Sequence, residues 1–253
     1  MIDADLLNQT SRLAGIDRYT ILREYLQILF LDELYQAKDS RKIWFKGGTA
    51  LRLLFNSPRF SEDLDFSTIL PWSKISRLTD QAVVKLETEA PGIKVKNLET
   101  VAGFSLKISF PTDFTPMPLT IKLDFSSREP ALTNYQNTLT TVLPVFSTAL
   151  ISALTPEEIL AEKIRAIISR NKGRDIFDLW FLLKQGIRLN QKLVRAKFRL
   201  YQENFSLPGL INSINRFAQN QLNQDLVKFL PLKHRPVVTS LKKLTVAALN
   251  QYA

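Results

Sequence analysis

Ile43-Trp-Phe-Lys-Gly-Gly-Thr-Ala-Leu-Arg52 is the stretch on which the fold turns. A short apolar run meets two consecutive glycines, and an apolar-spaced segment, Ala50 to Phe55, follows. That order reads as a strand, a glycine turn and a helix start. Bare backbone N–H groups at such a turn, together with a helix N-terminus, can hold phosphate oxygens. No Gly-Lys-Ser/Thr follows, so this is not a Walker A loop. Taken alone, Gly47-Gly48 is a tight strand-to-helix turn.

Just downstream, Asn56-Ser-Pro58 breaks the helix and Ser61-Glu-Asp-Leu-Asp-Phe66 opens a second strand. Asp63 and Asp65 stand two apart on an extended segment, so both side chains leave one face of the sheet. Two carboxylates aimed at one point repel unless a cation lies between them, and hard oxygen ligands favour Mg²⁺ or Mn²⁺. Leu64 and Phe66 anchor the strand from its other face. An isolated Asp-x-Asp in a surface turn would look the same; the neighbours raise it above that.

Outward from this centre, the first forty residues read as helical, with Ile21, Leu22, Tyr25, Leu26, Leu29 and Phe30 at three-and-four spacing. A polar helix fits residues 73–90, and strands fit Lys94–Leu98, Phe104–Phe110 and Leu119–Phe125, the last two alternating cleanly. The third of these puts Lys122 and Asp124 opposite its apolar stripe. If that strand neighbours the Asp63 strand, Asp124 is a candidate third carboxylate; otherwise it is an exposed edge residue. Three acids on adjacent strands can hold two metal ions for phosphoryl or nucleotidyl transfer.

After about residue 150 the chain reads as wholly helical. Thr155-Pro-Glu-Glu158 is a capping box, with Thr155 as N-cap, Pro156 at the first helical position and Glu158 reaching back. The helix it opens breaks near Lys172-Gly173, and the next ends at Gly186. Further helices fit 190–204, 208–220, 222–230 and 236–251. The expected organisation is an α+β part over 1–150, with N-terminal helices, and a basic helical part over 151–253. Lys163 and Arg170 share one helix face, as do Asp175 and Asp178 on the next helix. A lysine there can bind a triphosphate and an aspartate can orient a basic neighbour; a network of surface ion pairs, contributing little, is the plainer reading.

Composition narrows the classes. With no cysteine, disulfides, thiolate metal sites and a cysteine nucleophile are excluded. The single histidine, His234, excludes a multi-histidine zinc site and reads as a loop residue. Asp3, Asp5, Arg12 and Asp17 interrupt any apolar run at the N-terminus, and Val142–Leu154 falls short of the roughly 20 apolar residues of a spanning helix. A soluble, cytoplasmic protein with no membrane partner is expected. The net charge of +10 is uneven: residues 160–253 hold 17 Lys/Arg against 5 Asp/Glu, a balance of +12, while residues 1–159 hold 17 against 19. Such a basic half suits a polyanion, RNA above all, with Arg188, Lys192, Arg195 and Arg199 read as one helix face. Solvated outer faces account for the charge equally well.

Phe45-Lys-Gly-Gly-Thr-Ala-Leu-Arg52, Ser61-Glu-Asp-Leu-Asp-Phe66, Glu162-Lys163 and Arg174-Asp-Ile-Phe-Asp-Leu179, in that order, resemble the AbiEii/AbiGii toxin family over roughly residues 40–185. The resemblance implies a DNA polymerase β-type nucleotidyltransferase core with a helical C-terminal part. It also implies a nucleoside triphosphate and Mg²⁺ as co-substrates, growth inhibition within a toxin–antitoxin or abortive-infection system, and a cognate antitoxin. Some relatives add nucleotides to the acceptor end of tRNA, which makes tRNA the implied acceptor. Carried over by position, Gly47, Gly48 and Thr49 would cradle phosphates and Asp63 and Asp65 would bind metal, with Asp124 as third carboxylate. Lys163 would contact the triphosphate, and Asp175 or Asp178 would be the later essential acid. The broader superfamily usually carries Gly-Ser where this chain has Gly-Gly-Thr, which resembles the toxin branch more than the antibiotic-modifying one. A same-fold transferase acting on a protein or small molecule, and a non-enzymatic nucleic-acid-binding protein, are the alternatives.

Overall fold

The computed structural model describes residues 2–100, 103–113, 117–139, 141–170 and 172–252. They divide into two compact units, residues 1–56 with 60–154, and residues 57–59 with 155–253.

In the first unit, helices α1 (Ala4–Ala14) and α2 (Arg18–Tyr35) lead into β1 (Ile43–Lys46), which runs directly into α3 (Gly47–Phe55). Then come β2 (Leu64–Thr68), α4 (Trp72–Glu89), β3 (Lys94–Leu98), β4 (Phe104–Phe110), β5 (Leu119–Ser126), β6 (Asn134–Thr138) and β7 (Leu150–Leu154). The described strands form one mixed sheet in the order β3-β4-β5-β2-β1-β7-β6. Local chemistry sets the helix ends: Asp3 and Asp17 cap α1 and α2 by accepting from the backbone N–H of Asp5 and Thr20. Asn56, at φ 59°, ends α3 in the left-handed conformation that asparagine tolerates.

The register of the central strands explains how the sheet holds a site. Phe45, Phe66, Phe125 and Phe104 are successive partners across β1, β2, β5 and β4. Their rings form a ladder, with centroids 5.4, 4.6 and 6.1 Å apart. Each such pair adds about 0.5–1.5 kcal/mol beyond simple burial. The adjacent row, one residue on or back, is Lys46, Asp65, Asp124 and Ser105. Strand alternation puts it on the opposite face. An apolar row thus fixes a polar one.

The chain is not wholly helical after residue 150, because Leu150–Leu154 is strand β7, lying parallel to β1 and antiparallel to β6. The Tyr35 hydroxyl sits 2.9 Å from the Ile43 carbonyl and 3.0 Å from that of Ser152, joining α2 to β1 and β7. Strand β6, a polar stretch, also lies outside the elements expected from sequence.

In the second unit, α5 (Pro156–Ser169), α6 (Gly173–Lys184), α7 (Gln191–Arg199), α8 (Leu207–Arg216), α9 (Gln219–Leu226) and α10 (Val237–Leu249) surround a core built on α5 and α6. Thr155 caps α5, accepting from the Glu158 N–H, with Pro156 in the first turn. The Glu158 carboxylate itself is buried against Lys197 Nζ at 2.7 Å. Asp225 accepts from the Gly173 N–H at 2.7 Å and so caps α6 from a distant helix. Among the described residues, no helix is long and apolar enough to cross a membrane.

Candidate active site

The first unit gathers the acids on the polar row. Asp65 lies in β2 and is the register partner of Asp124 in β5, so the two strands are sheet neighbours, which was the condition for Asp124 to count. Asp63 stands one residue ahead of β2. All three are half-buried, whereas Leu64 and Phe66 are fully buried on the other face. Gly47 opens α3 with φ +76°, and a Cβ there would lie 2.3 Å from Asp65 Oδ2. Only glycine lets the carboxylate rest against that backbone.

Glycine at 47 therefore serves the acid as well as the turn. Lys46, at the N-cap, has no side-chain acceptor with which to satisfy the first-turn amides of α3. Those amides suit an anion. Gly48 and Thr49 are buried, and the Thr49 hydroxyl donates to the Asp63 carbonyl. Its side chain positions an acid, a role that sequence did not suggest.

Lys122 is the residue whose part in the site was missed. Its Nζ lies 2.7 Å from Asp124 Oδ2, while Ser105 donates its hydroxyl to Asp124 Oδ1. Burial pushes this lysine down, but Asp124, then Asp63 and Asp65, outweigh it and hold the ammonium above its ordinary value. A cation is what these acids draw in. The all-oxygen donor set of Asp63 and Asp65 fits Mg²⁺ or Mn²⁺. Among the described residues, no group of three acids closes into a metal cage.

The second unit gathers the later motif. Lys163 Nζ lies 3.0 Å from Asp175 Oδ1 and 2.7 Å from Asp178 Oδ2. Arg59 grips Asp178 with two bonds, of 2.7 and 2.8 Å, and Arg170 grips Asp175 with two of 2.9 Å. Lys163 is 6 % exposed, Asp175 1 % and Asp178 0 %. The reading of these charges as surface ion pairs is overturned. Burial raises both carboxyls, yet Lys163 and Arg170 for Asp175, and Arg59 and Lys163 for Asp178, hold them below the usual carboxylate range. Burial lowers Lys163, and Asp178 and Asp175 more than restore it.

Two further charges here escaped the sequence. Arg59 sits in a Pro-containing loop with no periodic signal, and Lys197 is wholly buried between Glu158 and Glu162, at 2.7 and 3.0 Å. Lys192, Arg195 and Arg199 do share an exposed face of α7, but Arg188 lies ahead of that helix.

A family model described as "Nucleotidyl transferase AbiEii toxin, Type IV TA system" matches residues 29–236. No curated protein matches in sequence. Among solved structures, MenT4, a nucleotidyltransferase toxin of Mycobacterium tuberculosis, superposes with a TM-score of 0.63 at 18 % identity, covering 99 % of this chain and 90 % of that one. JHP933 of Helicobacter pylori gives 0.53 at 21 %, covering 94 % and 96 %. A putative nucleotidyltransferase of H. pylori gives 0.55 at 21 %, covering 94 % and 99 %. At such identities these structures speak for the fold alone.

Proposed function

Because this chain belongs to the AbiEii family of nucleotidyl transferase toxins of type IV toxin–antitoxin systems, we propose that it moves a nucleotide from a nucleoside triphosphate to a cellular RNA, tRNA above all, and so arrests growth in the cytoplasm. The observation that carries this reading is the polar row: Asp65 seated against Gly47, with Asp63 two residues before it and Asp124 beside it. Asp63 and Asp65 would hold a divalent metal, with Asp124 as the third acid. When bound, such an ion lowers the pKa of an attacking hydroxyl and neutralises charge on leaving pyrophosphate.

The acceptor hydroxyl attacks the α-phosphorus and pyrophosphate departs. The Gly47 and Gly48 turn and the uncapped first-turn amides of α3 offer donors to phosphate oxygens, fixed before the reaction begins. Thr49 holds the Asp63 backbone to that same helix end. In the second unit, Lys163 is proposed as a triphosphate contact and Asp175 as the essential acid of its motif. Asp175 shares its carboxylate with Arg170, whose side chain is 60 % exposed, whereas Asp178 is bound by the buried Arg59. The exposed Lys192, Arg195 and Arg199 of α7 suit an RNA backbone. The antitoxin of this system is its expected partner.

Incubation with Mg²⁺, each α-labelled nucleoside triphosphate and total tRNA tests the proposal. Label on tRNA is the expected result. Label on protein would transfer the reading to a protein acceptor, and no label on RNA together with unimpaired growth on induced expression would overturn it.

A further inference from the structure

The sheet register sets three lysines in a line beside the acids. Lys96 of β3 is the partner of Lys107 on β4, and Lys107 is the partner of Lys122 on β5. Strand alternation puts all three on the face that carries Asp124, because Lys122 and Asp124 stand two residues apart on one strand. Leu106, Ile108, Ile121 and Leu123 are buried on the opposite face. The row crosses two strand spacings, about 10 Å, and runs from the acids toward the edge of the sheet.

Like charges directly opposite one another on neighbouring strands destabilise a sheet, and a bound polyanion would relieve that. Lys122 is paired with Asp124. Lys96 and Lys107 are exposed, and among the described residues neither has an acidic partner. Lysines on an edge strand such as β3 also guard against pairing with another chain. That does not account for Lys107, which stands on an interior strand. The next row on the same face, Lys94, Ser109 and Thr120, adds a lysine and two hydroxyls, groups that bind phosphate oxygens.

We propose that the row Lys96, Lys107 and Lys122 is the track on which the phosphate backbone of the acceptor RNA lies as it reaches the acids. The inference rests on the reading of this chain as a transferase with an RNA acceptor. Sheet order says which substrate the row serves. The acids of β2 and β5 divide the sheet, with β1, Gly47 and the first-turn amides of α3 on one side and β4 and β3 on the other. The triphosphate is assigned to the α3 side, so the lysine side is left for the second polyanion.

Lys96→Gln/Lys107→Gln removes two charges and leaves Lys122 with Asp124. The variant should melt at or above the wild-type temperature, since repulsion between β3 and β4 is relieved. Fluorescence anisotropy with labelled tRNA, without nucleotide, should show affinity lower by about five- to twentyfold, and a salt slope shallower by about 0.7–0.9 for each lysine lost. A single-stranded RNA of unrelated sequence should lose the same factor, because phosphate contacts carry no sequence information. In the transfer assay KM for tRNA should rise, while kcat and KM for the nucleoside triphosphate stay as in wild type. Lys38→Gln/Lys42→Gln, which removes the same charge from exposed lysines ahead of β1, should change RNA affinity by less than about twofold.

Wild-type RNA affinity in Lys96→Gln/Lys107→Gln overturns the track; if binding of poly-glutamate is lost instead, the row belongs to an acidic protein. An equal loss in Lys38→Gln/Lys42→Gln overturns it too, showing net charge at work. So does a raised KM for the triphosphate alone, which gives the row to the nucleotide. Labelling of tRNA by wild type keeps the transferase reading alive through each of these results. A wild type that neither binds nor labels tRNA removes both.

Discussion

Asp63, Asp65 and Asp124 stand half-buried near Lys122 in the first unit; Asp175 and Asp178 are buried around Lys163 in the second. The residue types are the same, and the surroundings make them different devices. In the first cluster water still screens the charges, each contact is weak, and a partner can be exchanged for an ion or a phosphate. In the second, desolvated charges are bound to one another by bidentate arginines, and losing one member strands the rest. Exposure makes a cluster available for chemistry. Burial fixes its members in one geometry, so that whatever they do they do in place.

Substitutions can break this contrast, and they rank by their cost to stability. Asp178→Ala leaves Arg59 and Lys163 buried without their shared carboxylate and should cost about 3–5 kcal/mol, enough to unfold the second unit in a urea titration. Asp175→Asn should cost less, about 1.5–3 kcal/mol, because Arg170 can turn to solvent. Its transfer rate should fall further than that loss of stability explains. Equal costs at the two positions would erase the distinction drawn between them.

Gly47→Ala forces a side chain into a left-handed backbone and against the Asp65 carboxylate. About 1–2 kcal/mol of stability is expected to go, and transfer should drop by at least about tenfold as Asp65 is displaced. Asp63→Asn and Asp65→Asn, at the bottom of the stability order, should leave unfolding free energy within about 0.5 kcal/mol of wild type while abolishing transfer.

The buried cluster also has a pH signature. Asp175 and Asp178 have depressed folded-state values, so their contribution is fully present above the unfolded carboxylate range, near about pH 4, and is lost as pH falls through the folded values. Lys163 and Lys197 are raised, so theirs is present below the unfolded lysine value, about 10.4, and is lost above it. The stability of the second unit should therefore vary little with pH from about 5 to about 9, and weaken on the acid side first, as urea unfolding across that range would show.

Much of the first cluster was legible because it is local. A strand, two glycines, a helix and two acids at i and i+2 each announce themselves over a few residues, and the alternation in Leu119–Ser126 placed Lys122 and Asp124 on one face. The pairing of Asp65 with Asp124 could only be a condition, since sheet order joins residues far apart in sequence. Strand β7 has no legible pattern because Ile151–Leu154 is covered on both faces and shows no alternation, and β6 has none because an edge strand of Asn, Tyr, Gln, Asn and Thr looks like a loop. The residues of the second cluster were legible as candidates, but their burial was not. Lysines and acids on amphipathic helices usually face water, and nothing near Pro58 signals that Arg59 will be buried against a helix 119 residues on.

The most direct measurement is transfer of α-labelled nucleotide to tRNA by wild type and by Asp63→Asn/Asp65→Asn at matched concentration, with urea unfolding of both. Loss of transfer with unfolding unchanged is the predicted result. Transfer at the wild-type rate by the double variant would contradict it.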